Sequence, residues 1–274
     1  MLADTHCHLN FDSFDLDRAA VVGRAEQAGV NRILNPGIDV ETSRAAVALA
    51  QVYQAVFAAV GVHPNDATGW SDETLDALHS LAAQPKVVAI GEIGLDYYWQ
   101  RTERSVQIKV FEQQLDLAAD LGLPVVIHVR DASPDDRRAM HDVLEILVEW
   151  QQHLVAHAPD LASRPGVLHS FSGDPDEAWR AVASQFCIGI TGPVTFKKAE
   201  ILRQVAAGLS ADHLLIETDA PFLTPHPHRG ERNEPAYVRF IAEKIAAVRE
   251  MPYDSFAQIT TDSAERLFRW QVNS

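Results

Sequence analysis

The feature that most limits the possible folds of this chain is an alternation, repeated eight times, of a short apolar run and a segment with helical periodicity. The apolar runs are rich in β-branched residues and almost continuously hydrophobic, which is typical of strands in a parallel sheet covered on both faces. We predict strands at residues 2–8, 32–37, 56–62, 87–93, 125–129, 166–170, 186–191 and 214–218.

The segments that follow these runs have apolar residues at intervals of three and four, as on the buried face of a helix. They predict helices at residues 17–28, 43–52, 73–82, 107–121, 138–150, 177–184, 199–207 and 237–248. Ser71 and the Asp174-Pro175 pair are start signals for two of these helices. One more helix is expected over residues 254–268, after the eighth unit.

Strands and helices alternate strictly, and the residue composition does not change along the chain. This pattern predicts an α/β fold, a TIM (β/α)8 barrel with one extra C-terminal helix. The absence of a linker or low-complexity tract predicts a single domain over residues 1–274. The alternative is an open, doubly wound sheet. A dinucleotide-binding sheet of that type is excluded, because no Gly-x-Gly-x-x-Gly motif follows the first strand.

Functional residues of such a barrel lie at the carboxyl ends of its strands. Candidate functional residues stand at six predicted strand ends, as His6, His8, His63, Glu92, His128, His169 and Asp219, and all of these except His63 are the candidate metal ligands. An isolated His-x-His pair is more often a hydrogen-bonded core pair than a metal site, but histidines gathered at one end of many strands indicate metal binding. Four imidazoles and two carboxylates exceed the needs of one tetrahedral zinc ion. They suit two divalent ions about 3.5–4 Å apart, with Glu92 as the bridging carboxylate.

Other polar and aromatic residues have less specific interpretations. His153 and His157 form a His-x-x-x-His pair, but they lack the adjacent glutamate of a metalloprotease and are interpreted as solvated helix residues. Tyr97, Tyr98 and Trp99 follow the fourth strand, where they either stack on nucleic-acid bases or line the rim of the barrel.

The net charge and the cysteine content limit which binding partners and which cellular compartment are expected. A net charge of −15 argues against a surface that holds nucleic acid through many phosphates, although not against a metal site that holds a few. No apolar stretch approaches the roughly 18 residues of a membrane helix, so no membrane partner is expected. Cys7 and Cys187 lie in strand-like segments, as small buried thiols do in a reducing cytoplasm. We expect a cytoplasmic monomer.

Seven motifs together carry a resemblance to a known family. They are HCH (6–8), GVHP (61–64), GEIGLDYY (91–98), IHVRD (127–131), GVLHSF (166–171), ETDAP (217–221) and HRG (228–230). In combination they resemble the TatD family of metal-dependent deoxyribonucleases, which belongs to the amidohydrolase superfamily of TIM barrels. The resemblance extends from the first residues to about Phe268. Residues 147–164 look longer than the usual connection between the fifth and sixth strands of the family, and Ser170 stands where many members carry cysteine.

The resemblance implies a ligand set and a substrate site. One metal ion is expected on His6, His8 and Asp219, and a second on His128 and His169, with Glu92 bridging the two. The expected cofactors are therefore two divalent metal ions, which are Mg²⁺, Mn²⁺ or Zn²⁺. Substrate-binding residues are expected to be His63, Arg130 and Arg229, the first two as contacts to the substrate phosphate.

The implied activity is hydrolysis of phosphodiester bonds, as a 3′–5′ deoxyribonuclease that acts on DNA ends. The acidic surface favours single-stranded or frayed ends, because affinity would be concentrated in the metal pocket. Asp219 and Glu92 are the predicted catalytic residues, with Asp219 placed to accept a proton from the attacking water. One alternative is an amidohydrolase-type enzyme that cleaves a C–N or lactone bond of a small molecule, since the same metal site activates water for either reaction. Another is a metal-bound interaction module without catalysis, against which the complete ligand set argues.

Overall fold

The chain folds into a barrel of eight parallel strands, seen in a computed structural model that describes residues 1–270. The strands are β1 (Leu2–Asp4), β2 (Val30–Pro36), β3 (Val56–Val60), β4 (Val87–Asp96), β5 (Val125–Arg130), β6 (Gly166–Leu168), β7 (Cys187–Ile190) and β8 (Leu214–Ile216). Each strand pairs with the next along the chain. The first and last strands are also joined, because the Thr5 amide donates to the Ile216 carbonyl at 3.2 Å and Cys7 forms a parallel bridge with Ala220.

Helices connect the strands and cover the outside of the barrel. They are α1 (Arg18–Gln27), α2 (Val40–Val52), α3 (Asp72–Ala82), α4 (Arg104–Leu121), α5 (Arg138–His157), α6 (Pro159–Ala162), α7 (Pro175–Ala183), α8 (Glu200–Gly208), α9 (Val238–Val248) and α10 (Tyr253–Phe268). The predicted start signals are present: Ser71 accepts a hydrogen bond from the Thr74 amide, and Asp174 forms a capping box with Glu177. The TIM-barrel prediction is confirmed, including the additional helix α10.

The core consists of two layers. A large cluster of buried side chains lies between the strands and the surrounding helices. A second cluster contains residues from every strand together with the C-terminal part of α10 and Trp270, which follows this helix and has its ring centre 5.2 Å from that of Phe57. We interpret this second cluster as the filling of the barrel interior, closed at one end by α10. The opposite end, where the strands finish, remains available for a cavity.

Several predicted boundaries were wrong, and each error has a local cause. The first, sixth and eighth strands end at Asp4, Leu168 and Ile216, two to four residues before their predicted ends. The ladder is interrupted after Asp4, where the His6 amide bonds to the Asp4 carboxylate at 3.3 Å. Helix α5 continues seven residues past the predicted end at 150, since buried Leu154 extends its apolar stripe by another turn. Among residues 1–270, no helix has the length and apolarity needed to cross a membrane.

The single-domain prediction over residues 1–274 remains a prediction, and its last four residues lie outside the described part of the chain.

Candidate metal centre

The predicted ligands converge at the carboxyl ends of the strands. His6 and His8 follow β1, His169 directly follows β6 and Asp219 lies three residues beyond β8, whereas Glu92 and His128 are within β4 and β5. Because parallel strands end at the same rim, side chains from distant parts of the chain meet there. A cavity of about 620 Å³ opens at this rim and is lined by His8, Glu92, His128, His169 and Asp219, among others.

Glu92 lies between two groups of histidines and presents one carboxylate oxygen to each. Its Oε2 atom is 3.3 Å from His6 Nε2 and 3.6 Å from His8 Nε2. Its Oε1 atom is 3.0 Å from His128 Nδ1 and 3.2 Å from His169 Nε2. The carboxylate therefore faces both halves of the predicted ligand set at once.

Asp219 completes the half that contains His6 and His8. Its Oδ1 atom lies 3.6 Å from His8 Nε2 and 3.9 Å from His6 Nε2. The residue has a left-handed backbone with φ of 54°, which is uncommon outside glycine but tolerated by aspartate. Its amide donates to the His6 carbonyl at 2.8 Å, so the ends of β1 and β8 hold this geometry together.

The charges at this site favour a cation. Burial lowers the pKa of His8 and of His63 to about 3, so both imidazoles are neutral, which is the form that binds metal. Burial alone would raise the pKa of Glu92, but the histidines around it hold that pKa well below its usual value. Burial raises the pKa of Asp219 to about 6. The site thus concentrates acidic oxygens and imidazoles in a place where they attract positive charge.

The donor set fits divalent metal ions. Three groups have ligand atoms that all lie within 4.8 Å of one another: His6 with His8 and Glu92, His6 with His169 and Asp219, and His63 with Glu92 and His128. Imidazole nitrogen and carboxylate oxygen are the ligands of catalytic zinc and of related transition-metal sites. His6 and His8 bring their Nε2 atoms to 3.2 Å from each other beside two carboxylates, as expected for ligands that share an ion.

Two buried carboxylates behind the histidines were not assigned a role by sequence analysis. Asp96 Oδ2 lies 3.3 Å from His128 Nε2, and Glu217 Oε1 lies 3.2 Å from His169 Nδ1. A metal-binding histidine commonly gives its second ring nitrogen to such a carboxylate, which fixes the orientation of the ring. The available sequence signal was the position of Asp96 and Glu217 in the same motifs as Glu92 and Asp219.

Glu217 is held in place by its surroundings. It accepts hydrogen bonds from the Ser170 amide and from the Thr5 hydroxyl, the second at 3.2 Å. Gly189 on the neighbouring strand leaves the room that this carboxylate needs, since a Cβ atom there would lie 2.5 Å from Glu217 Oε2.

Of the three predicted substrate-binding residues, two line the cavity and one does not. His63 Nε2 lies 3.8 Å from Glu92 Oε1, so His63 lies beside the predicted ligands as well as in the cavity wall. Arg130 is exposed and lines the cavity. Arg229 is not among the described residues that line it; this side chain is exposed, with its guanidinium 4.3 Å from the centre of the Phe196 ring.

The remaining candidates also have clear positions. His153 and His157 are exposed on α5, as the sequence indicated. Tyr97 is buried and its hydroxyl donates to Asp142 at 2.7 Å, so it is a core residue. Tyr98 and Trp99 are half exposed beside the cavity.

A parallel barrel with histidines and carboxylates gathered around a cavity at its carboxyl end has the architecture of a metal-dependent hydrolase. The family model for TatD-related DNases matches residues 3–269. The chain therefore belongs to the TatD family of metal-dependent hydrolases.

Individual relatives are similar over their full lengths. The metal-dependent hydrolase YabD of Bacillus subtilis (strain 168) is 42% identical over 269 residues, which are 98% of this chain and 99% of YabD. The 3′-5′ ssDNA/RNA exonuclease TatD of Pectobacterium parmentieri (strain WPP163) is 37% identical, with 97% and 98% covered. The crystal structure of YjjV, a TatD homologue from Escherichia coli K12, superposes with a TM-score of 0.87 at 33% identity, covering 98% of each chain. The similarity thus extends over the whole barrel.

Proposed function

We propose that this chain is a 3′–5′ deoxyribonuclease that hydrolyses phosphodiester bonds at DNA ends through two divalent metal ions. The observation that supports the proposal best is the position of Glu92, whose two oxygens face different groups of histidines. A carboxylate shared in this way is typical of two-metal hydrolases. The name of the Pectobacterium relative, an exonuclease of single-stranded DNA and RNA, agrees with this substrate class.

In this proposal, His6, His8 and Asp219 hold one ion, His128 and His169 hold the other, and Glu92 bridges them. Bound divalent ions would supply Lewis acidity, which lowers the pKa of water toward about 7 and neutralises charge on a phosphate. The side chain of Asp219 is 15% exposed, so its carboxylate reaches the cavity and can accept the proton of an attacking water.

The presence of Arg130 favours a phosphodiester substrate over a neutral one. Arg130 lines the cavity, where its guanidinium lies 4.1 Å from the centre of the Tyr98 ring and 5.4 Å from the centre of the Trp99 ring. A cation near bound metal ions is repelled unless an anion lies between them. A phosphate is such an anion, and the planar guanidinium matches it with two parallel hydrogen bonds. A neutral cyclic amide offers no comparable partner.

The activity is tested with end-labelled single-stranded DNA, duplex DNA and RNA, together with a lactone and a hydantoin, each with Mg²⁺, Mn²⁺ or Zn²⁺. We expect stepwise shortening of single-stranded DNA from its 3′ end. If all DNA ends stay intact while a lactone or cyclic amide is hydrolysed, the proposed function is wrong and the chain is an amidohydrolase-type enzyme.

Replacing Arg130 tests the phosphate contact. We expect Arg130→Ala to keep its metal content and to lose about 30- to 150-fold in kcat/KM on DNA, because one charge-assisted hydrogen bond contributes roughly 2–3 kcal/mol. The control is Arg44→Ala, which removes an exposed arginine on α2, outside the cavity. Equal activity of the two variants on DNA would exclude Arg130 from substrate binding.

A further inference from the structure

Large aromatic side chains are exposed on two sides of the cavity mouth. Trp99 is 50% exposed and Phe222 is 53% exposed, and both line the cavity that contains Glu92 and the histidines. Leaving such rings in water forgoes the free energy that their burial would provide. Exposed rings that border a polar cavity are therefore candidates for contact with a ligand.

The two rings belong to opposite sides of the barrel. Trp99 follows β4 and lies on the side of β4 and β5, whereas Phe222 follows β8 and lies near β1. In a closed ring of eight strands taken in chain order, these two positions face each other across the axis. The metal ligands lie between them, since the ligands come from both halves of the ring.

Each ring has the surroundings of a stacking surface. On one side, the guanidinium groups of Arg101 and Arg130 each lie 5.4 Å from the centre of the Trp99 ring. On the other side, Phe222 contacts Phe11 edge to face at 6.2 Å, and Phe11 is stacked on the predicted ligand His8 at 4.5 Å. Arginine and aromatic faces are the groups on which proteins stack nucleobases.

We propose that Trp99 and Phe222 are stacking positions for two unpaired bases, one on each side of the phosphate that is cleaved. The inference rests on the proposed nuclease function and names its specificity determinants. Stacking by a ring tolerates any base, because every base has a π face, so this site would select unpaired ends rather than a sequence. A base inside a duplex is stacked on both faces, so the last two bases of a strand can stack on separate protein rings only after leaving the helix.

The charge of the molecule favours this occupant. A protein with a net charge of −15 gains little affinity from electrostatic contacts along the phosphate backbone. Base stacking beside the metal site would supply the affinity that other nucleic-acid-binding proteins obtain from a basic groove. Arg101 and Arg130 line the cavity beside the exposed indole ring of Trp99.

The test is a double-mutant cycle between protein rings and DNA bases. Single-stranded oligonucleotides carry a tetrahydrofuran residue, which lacks a base, at either the 3′-terminal or the penultimate position. The kcat/KM of the metal-loaded enzyme is measured for wild type, Trp99→Ala and Phe222→Ala on each strand and on the normal strand. Two variants serve as controls. Trp99→Phe keeps an aromatic ring at this position. Trp179→Ala removes a tryptophan on α7 that is 51% exposed but lies away from the cavity.

We expect Trp99→Ala and Phe222→Ala each to lower kcat/KM on the normal strand about 5- to 150-fold, the range that follows from 1–3 kcal/mol per stacked base. Each loss should largely disappear on one of the two strands that lack a base, because the ring then has no partner. Trp99→Phe should recover most of the activity, and Trp179→Ala should match wild type on all strands.

Losses that are equal with and without the bases would overturn the inference while leaving the nuclease function intact. Wild-type protein that leaves every DNA strand uncleaved would instead contradict the proposed function, and the stacking positions with it. The two failures are therefore distinguishable by the wild-type measurement alone.

Discussion

At the scale of single residues, Glu92 and Asp219 differ in solvent exposure and in the side chains around them, and these differences suit the two carboxylates to different roles. Glu92 is 4% exposed and enclosed by histidines, which makes it suited to bridging rather than to proton transfer with solvent. Asp219 is more accessible: its side chain is 15% exposed, and its Oδ1 atom lies 3.6 Å from His8 Nε2 and 3.9 Å from His6 Nε2. The more accessible carboxylate is therefore the better candidate for accepting a proton.

Replacing Asp219 separates metal binding from proton transfer. We expect Asp219→Asn to retain much of its metal, because an amide oxygen can still coordinate, and to lose roughly 10²- to 10⁴-fold in turnover, the usual contribution of a general base. Turnover on DNA and metal content by elemental analysis are measured together. The control is Asp116→Asn, an exposed position on α4. Near-normal turnover with intact metal would remove Asp219 from this role.

The convergence of the candidate side chains could be predicted from sequence where a residue stands at a strand end, whereas contacts that depend on packing could not. His6, Glu92 and His169 could be found because strand ends converge in any barrel of this type. Glu217 received no role, since nothing in the sequence states that its carboxylate turns back toward the His169 ring. Arg229 lies over Phe196, a contact that depends on loop conformation rather than on strand order.

At the scale of elements, the site depends on the close approach of β4 and β5. Gly94 pairs with His128, and a Cβ atom at Gly94 would lie 2.1 Å from the His128 carbonyl oxygen. The backbone at Gly94 also has φ of 132°, which residues with a side chain rarely adopt. A glycine is thus required here for the strand that carries Glu92 to lie beside the strand that carries His128.

We expect Gly94→Ala to destabilise the fold by at least about 1–3 kcal/mol, the usual cost of forcing extra atoms into a packed core. It should also weaken metal binding, because His128 would move away from Glu92. Thermal or denaturant unfolding and metal titration measure the two effects. The matched control is Gly23→Ala within α1, where nothing lies within 4 Å of the added atom and a gain of about 0.5–1 kcal/mol is expected. Equal stability of the two variants would contradict the packing explanation.

The elements themselves were predictable because local periodicity decides their existence, whereas their ends depend on tertiary contacts. The strand after β5 is an example: residues 166–170 were predicted as a strand, yet β6 ends at Leu168 and Ser170 adopts a left-handed φ of 45°. The Ser170 amide bonds to Glu217, a partner 47 positions away, which no local pattern contains.

At the scale of the whole molecule, an acidic protein is proposed to bind a polyanion through one small region. Arg101 and Arg130 line the cavity, and Arg229 is exposed in the loop after β8; we assign one phosphate contact to each of these three cations. For three phosphate contacts to a single strand, affinity should change with salt with a slope of about −2 on logarithmic axes. This is a shallow dependence for a nucleic-acid enzyme.

We therefore expect kcat/KM for single-stranded DNA to fall no more than about 20-fold between 50 and 200 mM salt at a fixed metal concentration, since a slope near −2 over a fourfold change gives that factor. A dinucleotide, which has a single phosphodiester group, serves as the control and should respond less. A fall of a thousandfold or more would indicate an extended basic groove, in disagreement with the charge distribution proposed here.

The central claim is that two metal ions share Glu92 at the carboxyl end of the barrel, and anomalous diffraction from crystals grown with Mn²⁺ tests it most directly. We expect two anomalous peaks about 3.5–4 Å apart, the usual separation in two-metal sites. One peak should be bonded to His6, His8 and Asp219, the other to His128 and His169, and both to Glu92. A single peak, or peaks on His153 and His157 instead, would contradict the account.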